Sequence, residues 1–175
     1  MSNLTEQQRE EIIKIFSRSN PDRMFLFDKI PEKRLMNAKK RFGQMIEMNE
    51  EVIFLLDESS FRTGRDGMMI TPLGIYAKAG GSPPFFVSLS EVKELEMVQK
   101  KSIPELHIHS HSDEVFKISI IYGKKTAFNI IDEIILFLQG KQQRKEISDQ
   151  NRCSNCGAPK HSSDIYCEYC GVEFG

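Results

Sequence analysis

The feature that most constrains the fold is a change of hydrophobic period at residue 51. From there to residue 122, apolar residues recur at every second position in short stretches, and turn residues bound each stretch. In FFVSLS, for example, Phe85, Val87 and Leu89 share one face. Seven such strands follow each other at a spacing of about 10 residues, with no helical pattern between them. The spacing predicts an antiparallel meander or barrel.

Helical periodicity, about 3.6 residues per turn, occurs on both sides of this strand region. Before it, residues 4–18 contain Thr5 and Gln8, which fit a capping box, and residues 31–42 form a second predicted helix. After it, residues 125–139 form a longer one. Its apolar stripe consists of Phe128, Ile130, Ile131, Ile134, Ile135, Phe137 and Leu138. Helices around a run of strands predict an α+β fold.

Several short motifs in the strand region support a more specific comparison. They are EEVIFLLDESSF at 50–61, DG at 66–67, T…GIY at 71–76 and SEVK at 90–93. These motifs resemble bacterial pleckstrin-homology-like (PH-like) domains, over about residues 45–140. The resemblance implies a seven-stranded antiparallel β-barrel or sandwich that a C-terminal helix caps. Because that superfold hosts lipid-binding, peptide-binding and purely structural roles, the resemblance alone assigns no function.

All four cysteines lie near the end of the chain, as Cys153, Cys156, Cys167 and Cys170. Each C-x-x-C pair is followed by a glycine, and two such knuckles bring four thiolates onto one tetrahedral zinc ion. The pattern resembles the short zinc ribbon at the ends of many bacterial proteins. Because four protein ligands leave no open coordination position, we predict one structural Zn²⁺ and no chemistry there.

These patterns divide the chain into four parts. Residues 1–45 form an N-terminal helical segment, and residues 46–140 form the PH-like β-domain. Residues 141–152 are polar and read as a linker to the zinc ribbon at 153–175.

A second candidate metal site lies in LHIHSHSDE, at 106–114. Alternation places Leu106 and Ile108 on the core side and His107, His109 and His111 on the other side. Histidines on one strand face can bind zinc, with Asp113 as a further ligand if the following turn does not carry it away. The alternative is a solvated strand face, or a ladder of polar side chains that neighbouring strands satisfy.

The loop at 59–67 is a candidate phosphate or lipid site. Phosphoinositide-binding PH domains hold basic residues in the equivalent loop, and here Arg62 and Arg65 are available for bidentate phosphate contacts. Asp57, Glu58 and Asp66 offset their charge, so a solvated loop is the alternative.

Charge and apolar patterning bear on the class of partner. The formal net charge is −1, so no overall basic field favours nucleic acid or anionic membrane. The polar N-terminus does not fit a signal peptide, and no run reaches the roughly 18 apolar residues of a membrane-spanning helix. We therefore expect a cytoplasmic protein.

The sequence favours a non-catalytic interaction or adaptor protein that contacts other proteins. The predicted zinc site is closed, and the chain contains neither a Walker loop nor a G-x-S-x-G nucleophile elbow. Two alternatives stay open. One is binding of nucleic acid or anionic lipid through Arg62 and Arg65. The other is a metal-dependent hydrolase that uses the strand of His107, His109 and His111.

Overall fold

The described residues of this computed structural model are 4–17, 23–44, 46, 50–100, 103–121 and 124–141. They form three α-helices, which are α1 (Glu6–Ser17), α2 (Glu32–Arg41) and α3 (Lys124–Leu138). They also form eight strands, which are β1 (Met24–Leu26), β2 (Phe54–Asp57), β3 (Gly67–Ile70), β4 (Gly74–Lys78), β5 (Phe85–Ser88), β6 (Val92–Val98), β7 (Glu105–Ser110) and β8 (Val115–Ser119). The predicted α+β class is confirmed.

The strands form two antiparallel sheets in simple sequential order. One sheet has five strands, ordered β1-β2-β3-β4-β5, and the other has three, ordered β6-β7-β8. Every pairing joins strands that are neighbours in sequence, as the turn-bounded pattern predicts. Among the described residues no pairing closes the two sheets into a barrel, so the barrel form of the expectation is corrected to two separate sheets.

The seven strands predicted between residues 51 and 122 are present as β2–β8, but strand β1 corrects the prediction of a purely helical N-terminal segment. Its three residues pair with β2 in the register Met24↔Leu56 and Leu26↔Phe54. Met24 and Leu26 are buried in the main hydrophobic core. A three-residue strand is too short for alternation to distinguish it from a loop, so tertiary pairing determines its state.

Apolar residues cover both faces of the five-stranded sheet. Phe54 and Leu56 of β2 face the main core, which also contains residues of α1, α3 and both sheets. Leu55, between them, faces a second cluster, where Ala38 of α2 and Phe42 cover the opposite face. This two-sided burial explains why β2 and β3 are continuous apolar runs rather than alternating ones.

The three-stranded sheet is covered on one face only. Leu95, Leu106, Ile108 and Ile118 point into the main core. Along β7, half-buried and fully buried residues alternate, so its other face is accessible to solvent.

Helix α3 is fastened to the sheets at its C-terminal end. The Gln139 side-chain amide donates to the carbonyl oxygens of Leu89 and Val92, each at 2.7 Å. Its residues Ile131, Ile134 and Ile135 are buried in the main core, as the stripe predicts. No described helix has both the length and the apolar character that crossing a bilayer requires.

Candidate functional site

The accessible face of strand β7 carries two of the three histidines that the sequence singles out. Leu106 and Ile108 of β7 are fully buried, and their packing fixes which face of the strand points into the core. The alternation then turns His107 and His109 to the accessible face. Their ring centroids lie 6.3 Å apart, which is the spacing of second neighbours along one side of a strand.

Strand β6 adds acidic residues to this face. In the register of the two strands, Glu96 lies opposite His107 and Glu94 lies opposite His109. The register shifts between Val92 and Glu94. Counting residues outward from the turn between the strands therefore does not predict which residues of β6 and β7 lie opposite each other. Glu96 is not among the site residues predicted from the sequence, although the alternation in VKELEMV already places it outward.

Carboxylates engage both histidines. His109 Nε2 lies 3.1 Å from Glu96 Oε2, and His107 Nε2 lies 3.0 Å from Glu105 Oε2 on its own strand. Lys100 Nζ donates to the second oxygen of Glu105 at 2.8 Å. The hydrogen bonds from Lys100 and then from His107 lower the pKa of Glu105 below its ordinary value. These contacts match the alternative prediction, a ladder of polar side chains whose hydrogen bonds are made with neighbouring residues.

The same contacts bring metal-binding atoms together. One ligand atom each from Glu96, His107 and His109 lies within 4.8 Å of the others. Two imidazoles and one carboxylate are a donor set that zinc and related transition metals accept. The face can thus act as an ion-paired ladder, or it can hold a metal ion.

His111 and Asp113 do not join this group, which corrects the predicted set of three histidines. Strand β7 ends at Ser110, and the turn that follows takes the chain off the face. The backbone amide of His111 donates to the carbonyl oxygen of Glu91, and His111 lines an open pocket with Ser90 and Leu138. Asp113 has a φ of 62° and is exposed in the turn. The turn thus carries Asp113 away from the histidines, which was the alternative to its being a ligand.

The loop between β2 and β3, residues 58–66, is tightly built around Ser59. The Ser59 hydroxyl accepts hydrogen bonds from the backbone amides of Thr63, at 2.7 Å, and Gly64, at 3.2 Å. It donates to Asp57, a fully buried carboxylate that also forms an ion pair with Arg34. Gly64 has a φ of +70°, and an added Cβ would lie 2.5 Å from the carbonyl oxygen of Arg34, so glycine is required there.

This loop presents an aromatic residue and two arginines at its surface. Phe61 is 89% exposed, although aromatic side chains are usually buried. Arg62 and Arg65, the predicted phosphate or lipid contacts, are also exposed. The loop therefore offers an exposed apolar side chain, followed by two exposed cationic ones, on a backbone that Ser59 holds in place.

The four cysteines, Cys153, Cys156, Cys167 and Cys170, lie outside the described residues, so the predicted zinc ribbon stays a prediction. Comparisons with family models, with curated proteins and with solved structures found no match to this chain.

Proposed function

We propose that this chain is a non-catalytic interaction protein in which a PH-like β-domain and a C-terminal zinc ribbon contact protein partners. Strands β2–β8, followed by α3, match the seven antiparallel strands and final helix that the PH-like resemblance implies. Strand β1 then is an addition to the edge of the larger sheet. This agreement in strand count and order supports the PH-like assignment.

The observation that carries the interaction role is the exposure of Phe61 on a preorganised loop. Single exposed apolar residues are common on protein surfaces and need no explanation. Phe61 differs because the hydrogen bonds of Ser59 fix the loop beneath it and arginines follow it at 62 and 65. Aromatic residues and arginine are enriched in protein interfaces, and a fixed loop loses little entropy on binding.

The zinc ribbon is the second contact surface in this proposal. Cys153, Cys156, Cys167 and Cys170 would hold one structural Zn²⁺, whose binding supplies the folding energy of a module too small for its own core. Lys160 is the one basic residue between Cys153 and Gly175. That charge balance favours a protein partner over phosphate backbone.

The test is retention of partners by the full-length chain and its Phe61→Ser variant from extracts of its native cell. A protein retained by the wild type is identified and purified, and its Kd is measured against both chains. We expect Phe61→Ser to weaken binding at least about tenfold, a typical loss for an interface anchor.

Leu73→Ser is the matched control, because Leu73 is a partly exposed apolar residue in the turn between β3 and β4. It should bind like the wild type. Equal affinity of Phe61→Ser and wild type, or a measured enzymatic turnover with no retained partner, would contradict the proposal.

A second candidate function is binding to nucleic acid or anionic lipid, which the exposure of Arg62 and Arg65 beside Phe61 favours. It predicts an affinity for vesicles or oligonucleotides that falls steeply with salt and with Arg62→Gln and Arg65→Gln together. No binding at about 50 mM salt would exclude it. The hydrolase alternative loses support, because His111 and Asp113 lie off the histidine face.

A further inference from the structure

The open face of β6 and β7 carries an inference that is independent of the cysteines and of the interaction role. We propose that Glu96, His107 and His109 form a binding site for one divalent transition-metal ion of the zinc class. The starting observation is that their ligand atoms lie within 4.8 Å of one another on adjacent strands.

The donor types select the class of metal. Imidazole nitrogen suits zinc, copper and nickel, whereas calcium and magnesium prefer sites built from oxygen alone. Three protein ligands also leave a fourth coordination position, which water or a side chain from another molecule fills. The site is thus different in kind from the closed four-cysteine site predicted at the C-terminus.

The spacing needs little rearrangement. Two ligand atoms that each lie about 2.0 Å from a tetrahedral zinc ion are separated by about 3.3 Å. His109 Nε2 and Glu96 Oε2 are already 3.1 Å apart. His107 lies directly opposite Glu96 in the strand register, so rotation of the Glu96 and His109 side chains brings their ligand atoms to His107 without a change of backbone.

Exposure allows this rotation and allows the ion to enter. The Glu96 side chain is 57% exposed and the His109 side chain 28% exposed, whereas His107 is held more firmly at 12%. The backbone beneath them is fixed, because Leu106 and Ile108 on the opposite side of β7 are fully buried. The face therefore combines a rigid strand with side chains that can adjust.

Glu105 completes the arrangement as a positioning residue. A metal-binding histidine usually donates its second ring N–H to a carboxylate, which fixes the tautomer and the ring orientation. His107 Nε2 lies 3.0 Å from Glu105 Oε2, and Lys100 holds the other oxygen of Glu105. With the proton on Nε2, the lone pair of His107 is on Nδ1 and is available to the ion.

The experiment is zinc content per chain, measured by elemental analysis after equilibrium dialysis of the full-length protein against micromolar ZnCl₂. The chains compared are the wild type, Glu96→Gln, Glu105→Gln, His109→Ala and His111→Ala. His111→Ala is the matched control, since His111 lies two residues beyond His109 but in the following turn. All five share the same C-terminal cysteines, so the differences report the β-domain alone.

We expect Glu96→Gln and His109→Ala each to bind about one zinc fewer than the wild type at limiting zinc, a loss of tenfold or more in affinity. His111→Ala should match the wild type. Glu105→Gln should weaken the same binding by about 10-fold to 100-fold, the usual effect of losing an outer carboxylate partner. Equal zinc content in wild type, Glu96→Gln and His109→Ala would overturn the proposal.

A thermal melt separates metal loss from misfolding. With chelator present, the variants should unfold within a few degrees of the wild type, because the substituted side chains are partly or fully exposed. Added zinc should then raise the melting temperature of Glu96→Gln and His109→Ala less than that of the wild type and of His111→Ala. If His109→Ala does not fold, His109→Gln replaces it, and equal zinc-induced shifts in all chains would overturn the proposal.

Discussion

The two sheets differ in what covers their faces. Buried apolar residues pack on both faces of the five-stranded sheet. Helix α2 covers one face, and α1, α3 and the second sheet cover the other. The three-stranded sheet buries only its inner face, and charged residues and histidines occupy the other. Residues on the accessible face of the three-stranded sheet can therefore be polar or charged without disturbing the packed core.

The two sheets also treat polar groups differently. At the five-stranded sheet, Asp57, Glu58 and Ser59 are buried. Hydrogen bonds of Asp57 and Ser59 hold the loop between β2 and β3 in its conformation. On the open face, Glu96 pairs with His109 and Glu105 pairs with His107. Polar residues beside the first sheet therefore support the fold, whereas those on the open face are accessible to solvent.

The strongest test of the two-sided burial is Phe54→Ala. Phe54 is fully buried in β2 and makes an edge-on contact with Phe16 of α1. We expect the free energy of unfolding to fall by about 3–5 kcal/mol, measured by guanidinium denaturation. Phe61→Ala deletes the same atoms from an exposed side chain and should change stability by less than about 0.5 kcal/mol. Similar losses in both variants would contradict the assigned burial.

Ile108→Ala tests the covered face of the three-stranded sheet. Ile108 is fully buried, so its truncation should lower the free energy of unfolding by about 3 kcal/mol. His109→Ala, at the next position on the opposite face, should cost under about 1 kcal/mol, because its pair with Glu96 is partly exposed. If denaturation gave the larger loss for His109→Ala, the two faces of β7 would have to be exchanged.

Ser59→Ala tests the polar support of the loop between β2 and β3. The substitution leaves the backbone amides of Thr63 and Gly64 without their hydroxyl acceptor. We expect a loss of about 1–3 kcal/mol in unfolding free energy. Amide hydrogen exchange should quicken at Thr63 and Gly64 and stay unchanged in β7. Unchanged exchange at both residues would show that Ser59 does not hold the loop.

The smallest expected effect is on the pH dependence of the open face. The pKa of Glu105 is lower in the folded state than in the unfolded state. The carboxylate of Glu105 therefore stabilises the fold at pH values above its unfolded-state pKa, and this stabilisation is lost as the pH falls through its folded-state pKa. Lys100→Gln removes the main cause of that shift. Between about pH 5.5 and about pH 3, the wild type should therefore lose slightly more stability than Lys100→Gln, by under about 1 kcal/mol. A larger loss in the variant would contradict the assignment.

Where one residue pattern decides the structure, the sequence was a sufficient guide. Alternation of Leu106, His107, Ile108 and His109 placed each side chain on the correct face of β7. The stripe of the last helix likewise identified the four isoleucines that α3 buries, although it did not include the buried Ala127. In both cases the local period and the burial of apolar groups point to the same answer.

The parts that sequence analysis missed depend on contacts between distant segments. Glu96 joins the histidines only through the register of β6 against β7, and an irregularity near Val92 shifts that register. His111 fits the alternation but falls in the turn, because the pairing of β7 ends at Ser110. Strand β1 exists because β2 offers it a partner, and three residues of sequence carry no such information.

The most direct test of the claim that the open face binds metal is a zinc titration followed by NMR of the histidine side chains in the full-length chain. We predict that the imidazole signals of His107 and His109 change together and before that of His111, and that Glu96→Gln removes the early change. Signals of His107 and His109 that stay constant while zinc binds elsewhere would contradict the account and leave the face as an ion-paired ladder.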